Sequence, residues 1–126
     1  MQLDPDCLRD ILFLVEKKSS FGGILSYSDF MNSDLVNKYD TGKIFYHIKQ
    51  AAMSNLITKV TWTKDTDFFF SDLTPEGHKF INDIRNEQNW KKTKSVAKSI
   101  GSFSIDALKS IASEVVTTAI NKLLGQ

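Results

Sequence analysis

The chain has 126 residues, of which 41% are hydrophobic and 25% are charged, and its formal net charge is +1. These values suit one folded core of ordinary composition and exclude an intrinsically disordered chain. Cys7 is the single cysteine, so an internal disulfide and a multi-cysteine metal site are excluded, and a reducing compartment, the cytoplasm, is expected.

The first ten residues favour a helix start over a targeting segment, because they carry three aspartates and no basic leader. Asp4 can cap a helix and Pro5 suits its first position. Apolar residues then recur at helical spacing as far as Val15, and the helix should end near Ser19, before a Gly-Gly pair. No apolar run approaches the roughly 18 residues of a membrane-spanning helix.

A third helix dominates the middle of the chain. Before it, residues 24–27 favour a short strand and residues 29–39 a brief second helix. From Thr41, apolar residues fall on one stripe of a helix. Asn55 closes this helix, because asparagine tolerates the left-handed backbone of a helix end.

The next segment predicts a β-hairpin. Residues 58–63 and 68–70 are rich in β-branched and aromatic residues, and the polar residues 64–67 between them favour a turn. At least one of the three consecutive phenylalanines at 68–70 should face outward. Packing against the C-terminal helices, or a partner, would then cover it.

Three helices are expected after the hairpin. Thr74 and Pro75 repeat the helix-start chemistry of the N-terminus. Residues 90–100 predict a basic helix that stops at Gly101, and residues 104–124 predict a long final helix.

The order of these elements is that of a winged helix-turn-helix, although short α+β domains of other kinds can imitate it. We therefore expect an α+β, mainly helical fold, with the third helix as the reading helix and the hairpin as the wing. The winged-helix domain is placed at residues 1–88. A two-helix C-terminal extension, one basic helix and one amphipathic helix, is placed at residues 89–126.

Four segments carry a resemblance to a known family. They lie at residues 3–12, 45–48, 73–81 and 105–124, and the most specific is Leu-Thr-Pro-Glu-Gly-His at residues 73–78, followed by Ile84, Arg85 and Trp90. Together they resemble a phage and prophage family known as the domain of unknown function 2513. The resemblance implies a bacterial or phage origin and a winged-helix-like front half, and it supplies no activity or functional residue. Where that family commonly reads Glu-Ala-Gly-Leu-Ile after the third helix, this chain has Met-Ser-Asn-Leu-Ile.

Polar side chains on the third helix form the first candidate site. Lys43, Tyr46, His47 and Gln50 follow helical spacing opposite the apolar stripe, which predicts one exposed face. In a major groove, Lys43 would contact a phosphate or a guanine, and Gln50 would pair with an adenine. The rings of Tyr46 and His47 would pack or form hydrogen bonds beside them. A solvated or protein-binding face is the alternative, because four flanking aspartates repel phosphates.

Further lysines extend this candidate nucleic-acid surface. They are Lys59 and Lys64 on the wing, and Lys91, Lys92 and Lys94 on the basic helix. Residues 85–100 hold five Lys and Arg against one Glu, a net charge of +4, whereas residues 1–84 hold nine against twelve, a net charge of −3. The basic helix could bind a nucleic-acid backbone, or an anionic membrane with Trp90 at its surface, or simply be solvated.

The final helix has a wide apolar side that favours a homodimer. The residues predicted to form the interface are Leu108, Ile111, Val115, Ala119, Ile120 and Leu123. Packing inside the chain is the next alternative. Membrane insertion comes last, because residues 101–126 balance two lysines against two acidic residues.

Catalytic and metal-binding patterns do not stand out. Neither His47 nor His78 has a nearby Cys, Asp or His at metal-ligand spacing, and Cys7 is expected to be a small buried apolar residue. We therefore expect no enzyme activity, no metal and no cofactor. Two functions stay open: a phage-type regulator that binds duplex DNA as a dimer, and an adaptor or host-modulating protein that binds a bacterial protein.

Overall fold

The computed structural model describes residues 1–65 and 67–125, so Thr66 of the predicted turn and Gln126 of the predicted extension lie outside the described residues. Within this part, seven helices and a small three-stranded antiparallel sheet form an α+β, mainly helical fold. The chain divides into two compact units. The first is Asp4–His78 with Gln2, and the second runs from Lys79 onward with Met1 and Leu3.

The first unit contains four helices and all three strands. They are α1 (Pro5–Lys18), β1 (Leu25–Ser26), α2 (Tyr27–Met31), α3 (Leu35–Lys38), α4 (Thr41–Met53), β2 (Thr61–Trp62) and β3 (Phe68–Phe70). The predicted start of α1 is confirmed, because the Asp4 carboxylate accepts hydrogen bonds from the N–H groups of Asp6 and Cys7. Helices α1 and α4 pack against each other, and Cys7 is fully buried, as expected.

The single helix predicted over residues 29–39 is two short helices in the structure. The Ser33 hydroxyl donates to the Phe30 carbonyl at 2.6 Å and accepts from the Leu35 N–H at 3.2 Å. A serine that bonds to the nearby backbone offers it an alternative to continued helix. Ser33 therefore separates α2 from α3.

The strands form a sheet in the order β1-β3-β2, with both pairs antiparallel. The predicted hairpin of β2 and β3 is confirmed, and an isolated bridge between Ile57 and Leu73 closes its base. Phe68 and Phe70 are buried, and their ring centroids lie 5.5 and 5.9 Å from that of Phe30. Phe69 is 39% exposed, which confirms that one of the three phenylalanines faces outward.

Helix α4 ends in a left-handed turn at Asn55, whose φ is 60°. The Leu56 N–H donates to the Ala51 carbonyl at 2.9 Å, and the Asn55 N–H donates to the Ala52 carbonyl at 3.1 Å. This pair of bonds is a Schellman motif. The predicted helix end at Asn55 is therefore confirmed.

Helix α5 (Pro75–Ile84) starts in the first unit and continues into the second. The Thr74 hydroxyl caps it by accepting from the Gly77 N–H at 3.0 Å. The Thr74 N–H also donates to the Leu56 carbonyl at 3.0 Å. A Cβ on Gly77 would overlap that same carbonyl oxygen, so the close approach of the two backbones requires glycine.

The second unit is completed by α6 (Glu87–Ile100) and α7 (Ile105–Leu123), which pack against each other. Helix α6 buries Trp90, Thr93 and Ala97, and α7 buries Ile105, Leu108 and Ala112. Gly101 ends α6 with a φ of 85°, as predicted. Among the described residues, no helix combines the length and apolar character needed to cross a membrane.

Candidate functional site

The exposed face of α4 differs from the predicted one, because His47 is fully buried. Its Nε2 accepts a hydrogen bond from the Asp4 backbone N–H at 2.8 Å, and its Nδ1 donates to the Lys43 carbonyl at 2.8 Å. Helix α1, which Asp4 caps, packs on this side of α4. The prediction that His47 reaches a nucleic acid is therefore wrong.

Burial also keeps the His47 imidazole neutral. Removal from water lowers the pKa of His47, and the hydrogen bond to the Lys43 carbonyl and the Asp4 carboxylate oppose this shift without reversing it. An imidazole that donates from one nitrogen and accepts at the other must be neutral. The hydrogen bonds and the direction of the pKa shift therefore agree.

Lys43 is half-buried and forms an ion pair with Asp4. Its Nζ lies 2.6 Å from Asp4 Oδ2 and 5.3 Å from the centroid of the Tyr39 ring. Burial raises the pKa of Asp4, but the hydrogen bonds from Lys43 and from two backbone N–H groups outweigh it, so the net shift is downward. The hydrogen bond with Asp4 raises the pKa of Lys43. Because Asp4 compensates its charge, Lys43 is poorly suited to a phosphate contact.

The outward side of α4 carries an aromatic and apolar surface. We define the aromatic face as Phe45, Tyr46, Lys49 and Met53 of α4 with Trp62 of β2. Met53 is 64% exposed and Trp62 is 42% exposed. The Phe45 ring packs edge-on to the Trp62 ring, with centroids 6.0 Å apart, so the helix and the hairpin form one continuous surface.

Two shallow grooves cross the aromatic face, each about 330 Å³ in volume. One is lined by Phe45 and Tyr46, and the other by Met53 and Lys59. Both include Lys49 and Trp62, so the grooves meet at these two residues.

The remaining residues of the predicted reading face occupy different environments. Tyr46 and Gln50 are half-buried, and the Tyr46 ring lies edge-on to His47 with centroids 5.2 Å apart. Lys59 and Lys64 are exposed. Of the predicted set on α4, Tyr46 alone belongs to the aromatic face.

Sequence reasoning missed Lys49, although a signal for it exists. The buried residues of α4 are Ile44, His47, Ile48 and Ala51, which is one helical stripe at i, i+3, i+4 and i+7. Once position 47 is assigned to that stripe, the opposite side of the helix contains position 49. The apolar residues at positions 44, 48 and 51 therefore lie on the same side of the helix as His47. The opposite side is the exposed one.

The lysines predicted on the basic helix lie on α6, where Lys91 and Lys92 are exposed. Lys94 is half-buried, with its Nζ 5.4 Å from the centroid of the Trp90 ring. Trp90 is 1% exposed, which contradicts its suggested place at a membrane surface. Its indole is instead part of the core of the second unit.

The predicted interface on α7 is only partly available. Leu108 is fully buried, so its assignment to a dimer interface is wrong, because it serves the core of the second unit. Ile111, Val115 and Ala119 are half-buried, and Ile120 and Leu123 are exposed, as that interface requires. Between α6 and α7 runs an apolar groove of about 460 Å³. We call it the α6–α7 groove.

Metal-binding geometry is not found in the described part of the chain. No group of three or more His, Cys, Asp and Glu side chains there could hold a metal ion. His78 is exposed on the first turn of α5. The aromatic face and the α6–α7 groove each combine exposed apolar side chains with a groove.

Comparison with known proteins assigns the chain to a family. A family model described as "Hypothetical protein (DUF2513)" matches residues 2–104. An uncharacterized protein of Haemophilus influenzae is 27% identical over 120 residues, which are 93% of this chain and 97% of the relative. No solved structure matches. Because the family model covers most of its length, the chain belongs to the DUF2513 family.

Proposed function

We propose that Asp4–His78 is a winged-helix module, with α4 as its reading helix and the β2–β3 hairpin as its wing. The order of helices and strands supports this proposal. So does the sheet order, in which the strand before the reading helix pairs with the second strand of the wing. The extension after this module is α6 with α7.

The module acts as a non-enzymatic adaptor that binds a protein through the aromatic face. That face is the observation that carries the proposal, since aromatic residues and methionine are enriched at the centres of protein interfaces. Asp4–His78 holds eight Lys and Arg against eleven Asp and Glu, a net charge of −3. A net negative module with an apolar reading surface favours a protein partner over DNA.

The partner is a bacterial protein, and the chain acts in the cytoplasm of a bacterial host, with a phage or prophage origin. Two observations support this setting. The family resemblance implies a bacterial or phage source, and Cys7 carries a free thiol, which suits a reducing compartment. A host-modulating role follows from such an origin.

Duplex DNA is the second candidate, because exposed lysines lie on and beside the aromatic face. Lys49 lies on α4, Lys59 precedes β2 and Lys64 lies at the hairpin tip. Three cations can contact phosphates, whereas the buried His47 and the paired Lys43 no longer contribute to base reading. The surface therefore has positive charge for phosphate contacts, but fewer polar side chains that could contact bases.

Capture from a bacterial lysate with the immobilised chain tests the adaptor function. We expect Trp62→Ala to reduce the yield of the specific partner to about a tenth or less, as for a central interface aromatic. The matched control is Phe21→Ala, which removes a fully exposed aromatic ring outside the aromatic face. Equal recovery with both variants, or equal loss, contradicts the proposal.

Fluorescence anisotropy with a labelled duplex tests the DNA alternative. If the partner is a protein, affinity near physiological salt is negligible. Tight binding of the wild-type chain to the duplex at this salt concentration would favour DNA as the partner. In that case, a variant that combines Lys49→Ala, Lys59→Ala and Lys64→Ala should bind more weakly, and the slope of log affinity against log salt should fall by about three.

A further inference from the structure

The α6–α7 groove is an unfilled apolar surface within the second unit. Its lining includes Val96 of α6 and Ile111, Val115 and Ala119 of α7. The three α7 residues follow one another at intervals of four, so they form a single stripe along the helix. The groove therefore has the shape and chemistry to accept another helix.

We infer that α7 of a second copy of this chain occupies the groove, antiparallel to the first α7, and that Glu114 of each copy pairs with Lys122 of the other. This inference is independent of the adaptor function, because it concerns the second unit alone. It commits the dimer to one orientation and one register. The argument rests on the charges beside the apolar stripe.

Glu114 and Lys122 both line the α6–α7 groove and are both exposed. They lie four residues before and four residues after Thr118, which also lines the groove, so each is ~6 Å along the helix axis from it. A two-fold axis at Thr118 reverses the second helix. It therefore brings Lys122 of the second copy level with Glu114 of the first, and the reverse pair forms as well.

A parallel pair of α7 helices in register would instead place Glu114 beside Glu114 and Lys122 beside Lys122. Like charges directly opposite each other are destabilising. Glu114 and Lys122 are thus complementary to their own copies in the antiparallel pair and not in the in-register parallel pair. Small side chains at positions 118 and 119 allow the two helices to approach closely at the axis.

Sedimentation equilibrium of the full chain over a range of concentrations tests the inference. We expect a monomer–dimer equilibrium whose Kd rises with salt. Glu114→Lys and Lys122→Glu should each raise Kd by about tenfold, because each variant turns both pairs from attraction to repulsion. The double variant restores both pairs with reversed sign, and its Kd should return to near the wild-type value.

The matched control is Lys98→Glu, which makes the same charge change on an exposed residue of α6 outside the groove lining. Its Kd should equal that of the wild type. Circular dichroism checks that each variant is folded. A monomer at every concentration overturns the inference, and so does a double variant as weak as the single ones, because pairing of Glu114 with Lys122 of the other copy predicts rescue.

Discussion

At the scale of single residues, His47 shows how a polar side chain is accommodated inside the first unit. Both ring nitrogens have backbone partners, one on Asp4 and one on Lys43. A buried polar group with all its hydrogen bonds made carries little net cost, whereas one left without a partner costs about 1–3 kcal/mol. His47 therefore stabilises the packing of α1 on α4.

The burial of His47 predicts acid sensitivity. Because its pKa is lowered in the folded state, the unfolded chain binds a proton more readily. The free energy of unfolding should therefore fall as the pH decreases below about 6.5, the ordinary pKa of histidine. This fall should continue until the pH reaches the lower pKa that His47 has in the folded chain. Asp4, whose pKa is also lowered, adds a loss of stability only near pH 4 and below.

Urea titrations at several pH values between 5 and 8 measure this slope. His47→Leu should abolish this pH dependence, and at neutral pH it should also lower the free energy of unfolding by about 1–3 kcal/mol because the Asp4 N–H loses its acceptor. His78→Gln changes an exposed histidine and should keep the slope. If the leucine variant kept the pH dependence of the wild type, His47 would not be its cause.

Spacing alone predicted the apolar residues of α4 but placed His47 on the wrong side of the helix. The reason is physical: its Nε2 accepts a hydrogen bond from the backbone N–H of Asp4, 43 residues away, and no local pattern reveals such a bond. Tyr46 was assigned to an exposed surface, and the structure leaves it half-buried there. Long-range backbone partners are therefore what the sequence hides at this scale.

At the scale of elements, helix ends were the most predictable features. Asp4, Asn55 and Gly101 end or start helices through interactions with the adjacent backbone, so their chemistry is visible in the sequence. The break at Ser33 was missed, because a serine is equally compatible with a continuous short helix. The requirement for glycine at position 77 arises from a contact with Leu56, which is distant in sequence.

That contact makes Gly77→Ala a sensitive test of the junction between α4 and α5. The added Cβ would overlap the Leu56 carbonyl oxygen, so we expect a loss of about 2–3 kcal/mol in the free energy of unfolding. Gly42→Ala is the matched control on α4. There the nearest atom would be 3.4 Å away, and the change should be a gain of at most about 1 kcal/mol.

Urea denaturation of both variants gives the comparison. Two equal effects would show that general helix preference, and not the close approach at Leu56, determines the outcome.

At the scale of the whole molecule, the mainly helical α+β class followed from the alternation of helical and strand periodicities. The division into units was less visible. It falls inside α5, whereas the predicted boundary lies after residue 88, just before the predicted basic helix. A continuous helix gives no compositional sign that it serves two units.

Cys7 provides a chemical reporter of opening in the first unit. Burial raises the pKa of its thiol to about 12, and the nearby Asp4 carboxylate contributes to the same shift. A disulfide reagent at pH 8 should therefore label the native chain at least about 100-fold more slowly than the urea-unfolded chain, at a rate that follows the opening equilibrium. The labelling rate is measured by absorbance.

The reference is a Cys7→Ala, Ser20→Cys variant, because Ser20 is exposed in the same unit. Its thiol should react as fast as that of the unfolded chain. Rapid stoichiometric labelling of Cys7 in the native protein would contradict the burial of α1.

The bond between Asp4 and His47 has a consequence for synthesis on the ribosome. Helix α1 is translated first, yet its histidine partner is added 43 residues later. At about 5–20 residues per second, the apolar stripe of the nascent helix waits roughly 2–9 s for α4. During that interval the nascent chain exposes the hydrophobic surface of α1. Protection by a chaperone should therefore matter most in this period.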